Sequence, residues 1–142
     1  MKMEINKTID VPREFVFEKI IDSGLYDIER QTGKRPKVMN MTGFSYVKTF
    51  GKNQSGTIKF DEVSGPSVYA FTTTTQRNTF HTRWELHKID DRSTNIIITE
   101  QQESNGFFQK LNDIAVGFVL GRIKKRQVIA MIDAIEKAYN GR

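Results

Sequence analysis

Residues 80–100, FHTRWELHKIDDRSTNIIITE, contain the two runs that decide the fold. Polar and apolar residues alternate in the first run, which sets Phe80, Thr82, Trp84 and Leu86 on one face and His81, Arg83, Glu85 and His87 on the other. A period of two residues predicts a half-buried strand with the apolar set turned inward. Turn residues at 90–93 lead into a second run, 94–103, which predicts an antiparallel partner strand.

The rest of the chain extends this pattern. Further strand-like runs, each ended by turn residues, cover 2–10, 44–50, 57–63 and 68–75. Apolar residues spaced by three and four predict a helix that starts after Asp10, whose carboxylate would cap it, and a long helix over 107–139. The run Asp-Ser-Gly at 22–24 predicts a break, followed by a second short helix that ends near Gly33. The predicted order is strand, two helices, five strands and one long helix.

Short connections between the last five strands predict an antiparallel meander, one face of which needs cover. The C-terminal helix is the one predicted element long enough to provide that cover. We therefore expect a single α+β domain over residues 1–142, with a curved six-stranded antiparallel sheet wrapped around the C-terminal helix.

The composition excludes several classes of site. The chain has no cysteine, which rules out disulfides, thiol catalysis and Cys-ligated zinc. The two histidines, His81 and His87, lie about 20 Å apart in an extended strand and cannot share a metal ion. Hydrolase, nucleotide-binding and zinc-protease signatures are missing from the sequence. We expect neither a metal nor a cofactor.

The net charge of +5 is concentrated near the C-terminus, where residues 104–142 hold seven basic and three acidic side chains. A nucleic-acid interface would spread its basic residues along a face with stacking aromatics between them, so we do not expect nucleic acid as a partner. The longest strongly apolar run, 114–120, is far short of the roughly 20 residues that span a membrane. With no leader sequence apparent, we expect a soluble, cytoplasmic protein.

Three stretches carry a resemblance to a known superfamily: KTIDVPREFVF at 7–17, WELHKIDDRSTNIIITE at 84–100, and the closing helix. They resemble the START-related, Bet v 1-like helix-grip (SRPBCC) superfamily. Residues 105–126, NGFFQKLNDIAVGFVLGRIKKR, are similar to a bacterial branch described as a domain of unknown function. The resemblance implies a cavity between sheet and C-terminal helix, which relatives use for lipids, sterols, polyketides, plant hormones or aromatic substrates. It transfers no catalytic residue.

Two glycines one turn apart, Gly117 and Gly121, lie on the helix stripe that should face the sheet. Each costs about 1 kcal/mol relative to alanine in a helix, so they indicate either close packing on the sheet or room for a ligand. In the second case the cavity would be lined by Phe60, Phe71, Thr73, Trp84, Glu100, Ile114, Gly117 and Gly121.

Glu100 is the candidate catalytic residue. If Ile96 and Ile98 face inward, Glu100 follows them, and its carboxylate would either be paired or be suited to proton transfer. Arg77, Arg83 and Lys48 are its candidate partners. The alternatives are that a bulge turns Glu100 outward, or that it accepts a structural hydrogen bond.

The C-terminal helix carries a second apolar surface beside a cationic cluster. This candidate interaction patch consists of Val116, Leu120, Arg122, Ile123, Lys124, Lys125 and Arg126. Such a surface is typical of an interfacial membrane anchor, but we favour the alternative that residues 25–44 or a second subunit of a homodimer cover it.

Three functions follow from these patterns. The first is a non-enzymatic carrier or sensor that binds a small, largely apolar molecule. The second is an enzyme of cyclase or hydrolase type with Glu100 as acid or base, and the third is an interaction module that uses the C-terminal helix against a protein or a membrane surface. We favour the first because no catalytic constellation accompanies the pocket residues.

Overall fold

The computed structural model describes the backbone of residues 2–51, 54–104 and 109–140, and their side chains except at 104 and 109–123. The elements in chain order are β1 (Lys2–Ile9), α1 (Arg13–Thr32), a 3₁₀ turn (Val38–Asn40), β2 (Ser45–Gly51), β3 (Gln54–Ser64), β4 (Val68–Thr75), β5 (Asn78–Asp90), β6 (Ser93–Ser104) and α2 (Gln109–Asn140). The α+β class and the six strands predicted from the sequence are confirmed.

All six strands form one antiparallel sheet in the order β1-β6-β5-β4-β3-β2. Strands β2 to β6 form the predicted meander, and β1 returns to pair with β6 at the far edge. In β5, Thr82, Trp84 and Leu86 are buried while His81 and His87 are exposed, so the predicted facing of this strand is confirmed. The inner face packs against both helices.

The ladder register aligns inner-face residues into rows that cross the strands. One row contains Met3, Glu100, Thr82, Phe71 and Phe60. The next row contains Ile5, Ile98, Trp84, Tyr69 and Val63. A bulge in β3 after Phe60 keeps both Phe60 and Val63 on the inner face, since the extra residue between them lets Asp61 and Glu62 lie outside.

The prediction of two helices after β1 is wrong, because α1 is one continuous helix of 20 residues. Gly24 lies inside it instead of ending it. A Cβ atom at this position would lie 2.5 Å from the Tyr69 hydroxyl oxygen, so the glycine permits close packing of the helix on β4. The helix ends at Gly33, whose φ of 77° and N–H bond to the Glu29 carbonyl are typical of a left-handed C-cap.

The predicted capping role of Asp10 is also wrong. The N-cap of α1 is Pro12, whose carbonyl accepts the N–H groups of Phe15 and Val16, and no side chain caps the helix. Asp10 instead accepts a hydrogen bond from the Ser93 hydroxyl at 3.4 Å. Its carboxylate therefore supports the β5–β6 turn, not the helix.

Helix α2 is fixed to the sheet and to α1 through its C-terminal half. Ile132 and Ile135 are buried in the core, and Tyr139 meets Phe15 edge-on with ring centres 5.0 Å apart. An ion pair between Lys7 and Asp133 ties the helix to β1. The predicted helix began at 107, but residues 107 and 108 lie outside the described residues.

Candidate functional site

A cavity of about 670 Å³ lies between the inner face of the sheet and the two helices. Its apolar lining comes chiefly from aromatic and isoleucine side chains: Ile20, Tyr46, Phe50, Ile58, Phe60, Tyr69, Phe71, Phe80, Trp84 and Ile98. Its polar lining includes Asp27, Lys48, Thr73, Thr82, Glu100 and Lys124. A concave, mostly apolar space with a few converging polar groups is the usual form of a small-molecule site.

Glu100 is the buried charge of this cavity, with only 8% of its side chain exposed. The Thr82 hydroxyl, which lies directly opposite on β5, donates to Glu100 Oε1 at 2.7 Å. The Lys124 ammonium, carried by α2, lies 2.6 Å from the same oxygen. A carboxylate removed from water is costly unless a counter-charge and hydrogen bonds compensate it, and these two residues supply both.

Lys124 joins the helix to the sheet at this point. Its ammonium group also lies 4.6 Å from the centre of the Phe80 ring, a cation–π distance. Its side chain is 43% exposed, so water retains access to the cation while the carboxylate is buried. The polar end of the cavity is therefore a neutral ion pair set against an aromatic ring.

The predicted partners of Glu100 are wrong. Arg77 is exposed in the β4–β5 turn, and Arg83 lies on the outer face, where it bonds Glu62 and Glu85. Lys48 lines the cavity but pairs with Asp27 at 3.1 Å. The alternation of side chains along β5 explains why Arg83 does not reach Glu100, since Arg83 follows Thr82 and must point to the opposite face.

A second polar cluster lies where β2 meets α1. The Tyr46 hydroxyl donates to Asp27 Oδ2 at 2.5 Å, and the Lys48 ammonium reaches Asp27 Oδ1. Burial raises the pKa of the Tyr46 phenol, and the hydrogen bond to the Asp27 carboxylate raises it further. Tyr46 therefore remains a neutral donor, and both Asp27 oxygens are occupied by the protein itself.

The Tyr69 hydroxyl lies against Gly24 at the α1 wall of the cavity. Within the part of the chain that the structure describes, this hydroxyl has no hydrogen-bond partner. Burial and the charge of Asp27 both raise the pKa of the Tyr69 phenol. It stays protonated, and it can donate to or accept from a bound molecule.

The structure brings five of the predicted pocket residues together around the cavity. These are Phe60, Phe71, Thr73, Trp84 and Glu100. The side chain of Ile114 and the contacts of Gly117 and Gly121 lie outside what the structure describes, so the choice between packing and ligand space at the two glycines stays open. That these positions bind a ligand remains a prediction.

The structure divides the predicted interaction patch. Lys125 and Arg126 are exposed on α2, whereas Lys124 lines the cavity and pairs with Glu100. The side chains of the other four members, Val116, Leu120, Arg122 and Ile123, lie outside the described residues. A membrane or protein contact through this patch therefore remains a prediction.

Sequence reasoning missed Asp27 and Tyr46 as site residues, and it assigned Lys124 to the interaction patch instead of the cavity. A signal for Lys124 existed, because it lies four residues before Val128 and three after Gly121, on the helix stripe predicted to face the sheet. Its position in the cationic run obscured this. The pairing of Asp27 with Tyr46 and Lys48 joins a helix to a strand 19 to 21 residues later, and no local pattern reports it.

The outer face of the sheet contains both histidines. His81 contacts the Thr72 hydroxyl at 3.0 Å, and His87 lies 3.3 Å from a Glu85 carboxylate oxygen. Among the described residues, no group of His, Asp and Glu side chains is arranged to hold a metal ion. None of the described helices is both long enough and apolar enough to cross a membrane.

Comparison with known protein families assigns the chain to one of them. The sequence profile described as a domain of unknown function (DUF3284) matches residues 3–121, and the chain belongs to this family. A comparison with curated proteins gives no significant match.

Solved structures share the fold at low sequence identity. A protein from Arthrobacter aurescens matches with a TM-score of 0.64 at 16% identity, over 96% of this chain and 86% of its own. Ara h 8.0201 matches with a TM-score of 0.62 at 15% identity, over 100% and 99%. Zhui aromatase/cyclase from Streptomyces sp. R1128 matches with a TM-score of 0.54 at 13% identity, over 97% and 92%. These likenesses establish a Bet v 1-like helix-grip fold.

Proposed function

We propose that this protein binds a small, largely apolar molecule in the cavity between the sheet and α2, as a carrier or sensor. The observation that carries the proposal is the cavity itself, about 670 Å³ in volume and lined mainly by aromatic and isoleucine side chains. A space of this size falls within the range of small-molecule pockets, which is about 300–1,000 Å³. Its charged groups are paired with one another, so an uncharged ligand fits it best. A cytoplasmic location remains a prediction.

The polar lining supports binding over catalysis. Glu100 Oε1 already accepts from Thr82 and lies in contact with Lys124, and both oxygens of Asp27 are engaged. A general base must be within hydrogen-bond reach of a substrate proton, and a carboxylate with two donors on one oxygen is stabilised as a charged acceptor. The described lining therefore supports an orienting role for these polar groups over proton transfer.

One observation keeps an enzymatic alternative. Glu100 is a buried carboxylate that lines a cavity, and one protein of the same fold is an aromatase/cyclase. If the protein turns over a substrate of cyclase or hydrolase type, Glu100 is the acid or base candidate. A Glu100→Gln variant that retains a turnover measured for the native protein would exclude this role.

The binding proposal is tested with N-phenyl-1-naphthylamine, a neutral probe whose emission rises in apolar surroundings. Trp84 is the single tryptophan of the chain and lines the cavity, so a probe bound there quenches its fluorescence by energy transfer. We expect saturable binding with both signals titrating together. Probe emission that rises without loss of Trp84 fluorescence would place the probe elsewhere and contradict the proposal.

Two neighbouring threonines on β4 provide a matched pair of variants. Thr73 lines the cavity, whereas Thr74 is exposed on the outer face. Thr73→Phe fills cavity space and should weaken probe binding about tenfold or more, since a clash of a few heavy atoms removes well over 1.4 kcal/mol. Thr74→Phe adds the same side chain outside and should leave the affinity unchanged.

A further inference from the structure

Glu100 has one carboxylate oxygen that no other described residue engages. Both of its polar side-chain partners, Thr82 and Lys124, lie on Oε1. Among the described residues, no hydrogen-bond partner lies on Oε2. An ionised carboxylate offers about four acceptor sites, so this oxygen retains full capacity to accept hydrogen bonds.

The free oxygen is reachable from the cavity. Across the described part of the chain, Arg13 Nε is the one fully buried side-chain polar atom without a partner, so Oε2 is not sealed inside the protein. Glu100 as a whole is only 7% exposed, and it lines the cavity. The small accessible part of Glu100 is therefore presented to a molecule inside the cavity.

The charge balance restricts what this oxygen can receive. Lys124 compensates the charge of Glu100, so the pair presents no net charge that would call for an ionic ligand. What remains at Oε2 is an acceptor, and an acceptor is satisfied only by a group that has a proton to donate. Ether oxygens and carboxylates lack that proton, whereas hydroxyl and N–H groups have it.

The other polar groups of the cavity do not impose the same restriction. Asp27 is satisfied by Tyr46 and Lys48. The Tyr69 phenol can donate or accept, and it therefore tolerates either kind of ligand group. Of these three groups, Glu100 is the one whose free atom requires a hydrogen-bond donor on the ligand.

We propose that the ligand is an uncharged, largely apolar molecule with a hydroxyl or N–H group, and that this group donates a hydrogen bond to Glu100 Oε2. The proposal rests on the proposed function, since it specifies the molecule that the cavity binds. Glu100 acts here as a specificity-determining residue, and no chemical step is involved.

The test compares three naphthalenes of similar size as competitors of N-phenyl-1-naphthylamine at neutral pH. These are 2-naphthol, which carries a donor, 2-methoxynaphthalene, which lacks one, and 2-naphthoate, which is an anion. A hydrogen bond to a charged acceptor favours binding about tenfold or more. We expect 2-naphthol to bind about tenfold more tightly than either of the other two.

Two glutamates on β6 provide the variant and its control. In Glu100→Gln the side-chain amide can donate to an ether oxygen, so the preference for 2-naphthol over 2-methoxynaphthalene should shrink to about twofold or less. Glu103→Gln changes an exposed glutamate at the end of the same strand and should keep the full preference. Melting curves confirm that both variants are folded.

The outcomes separate this proposal from the proposed function. Equal binding of 2-naphthol and 2-methoxynaphthalene to the native protein would overturn the donor requirement and leave cavity binding intact. Tightest binding of 2-naphthoate would overturn it by making Lys124 the anchor of an anionic ligand. Absence of binding by all three naphthalenes and by the probe would refute the proposed function itself.

Discussion

The two faces of the sheet carry ionic contacts built on neighbouring residues of the same strand. On the inner face, Thr82 bonds Glu100, which is buried and pairs with Lys124. On the outer face, Arg83 bonds Glu62 and Glu85, and all three side chains are more than one-third exposed. Water solvates the outer group whether or not the contacts form, whereas the inner carboxylate depends on its two partners.

This difference indicates what each face is for. The outer ion pairs lie on a solvated surface, and their loss should hardly change the free energy of unfolding. The inner cluster lies in a cavity, where each polar atom needs a partner from the protein or from a bound molecule. The predictions below test whether the two faces differ as this contrast requires.

The largest effect is expected at two adjacent isoleucines of β6. Ile98 is fully buried against the cavity, whereas Ile97 lies on the outer face and is half-buried. Ile98→Ala should lower the free energy of unfolding by about 3–4 kcal/mol through lost burial and a new void. Ile97→Ala should cost about 1 kcal/mol, because less of its side chain leaves water on folding. Urea denaturation measures both, and equal losses would contradict the assigned facing.

Removal of the cation from each face gives the next effect. Lys124→Met leaves Glu100 buried without its counter-charge and should cost about 2 kcal/mol, with the water access of the lysine taken into account. Arg83→Met removes an exposed cation and should cost about 0.5 kcal/mol. Chemical denaturation measures the loss of unfolding free energy in each variant. A larger loss for Arg83→Met than for Lys124→Met would contradict the proposed difference between the two faces.

Alkaline pH should weaken the inner face. The pKa values of Tyr46 and Tyr69 are raised above the usual value of 10, so the folded protein holds these protons more tightly than the unfolded chain. The resulting stability is fully present below pH 10 and is lost as pH rises beyond it. The double variant Tyr46→Phe, Tyr69→Phe should lose most of this dependence in melting temperatures measured from pH 9 upward. A slope that persists would show that other groups cause it.

Acid pH should weaken the outer face, and only slightly. The hydrogen bond from Arg83 holds the pKa of Glu85 below its usual value of 4.5, so this pair stabilises the fold above that pH. The contribution is lost as pH falls through the lowered value, and for so exposed a pair it amounts to about 0.5 kcal/mol. Glu85→Gln should flatten the acid limb of the stability curve by that amount, while an unchanged limb would show that the pair contributes nothing.

The facing of β5 was predictable because burial imposes a period of two on the sequence, and the meander of β2 to β6 was predictable because short turns join these strands. The continuity of α1 was not predictable from the sequence. Gly24 has the local pattern of a helix breaker, and its role depends on a contact with Tyr69, which is distant in the chain. The position of Glu100 followed from Ile96 and Ile98. Its partner did not, because Lys124 lies on a separate helix whose register against the sheet no local pattern specifies.

The central claim is that the inner face of the sheet, and not the outer one, holds a small apolar molecule. Methyl NMR of isoleucine-labelled protein, titrated with N-phenyl-1-naphthylamine, tests it directly. The account predicts that the signals of Ile58 and Ile98, which line the cavity, shift and saturate together, while those of Ile97 and the exposed Ile89 stay fixed. Shifts confined to Ile97 and Ile89, or no shift at a saturating probe concentration, would contradict it.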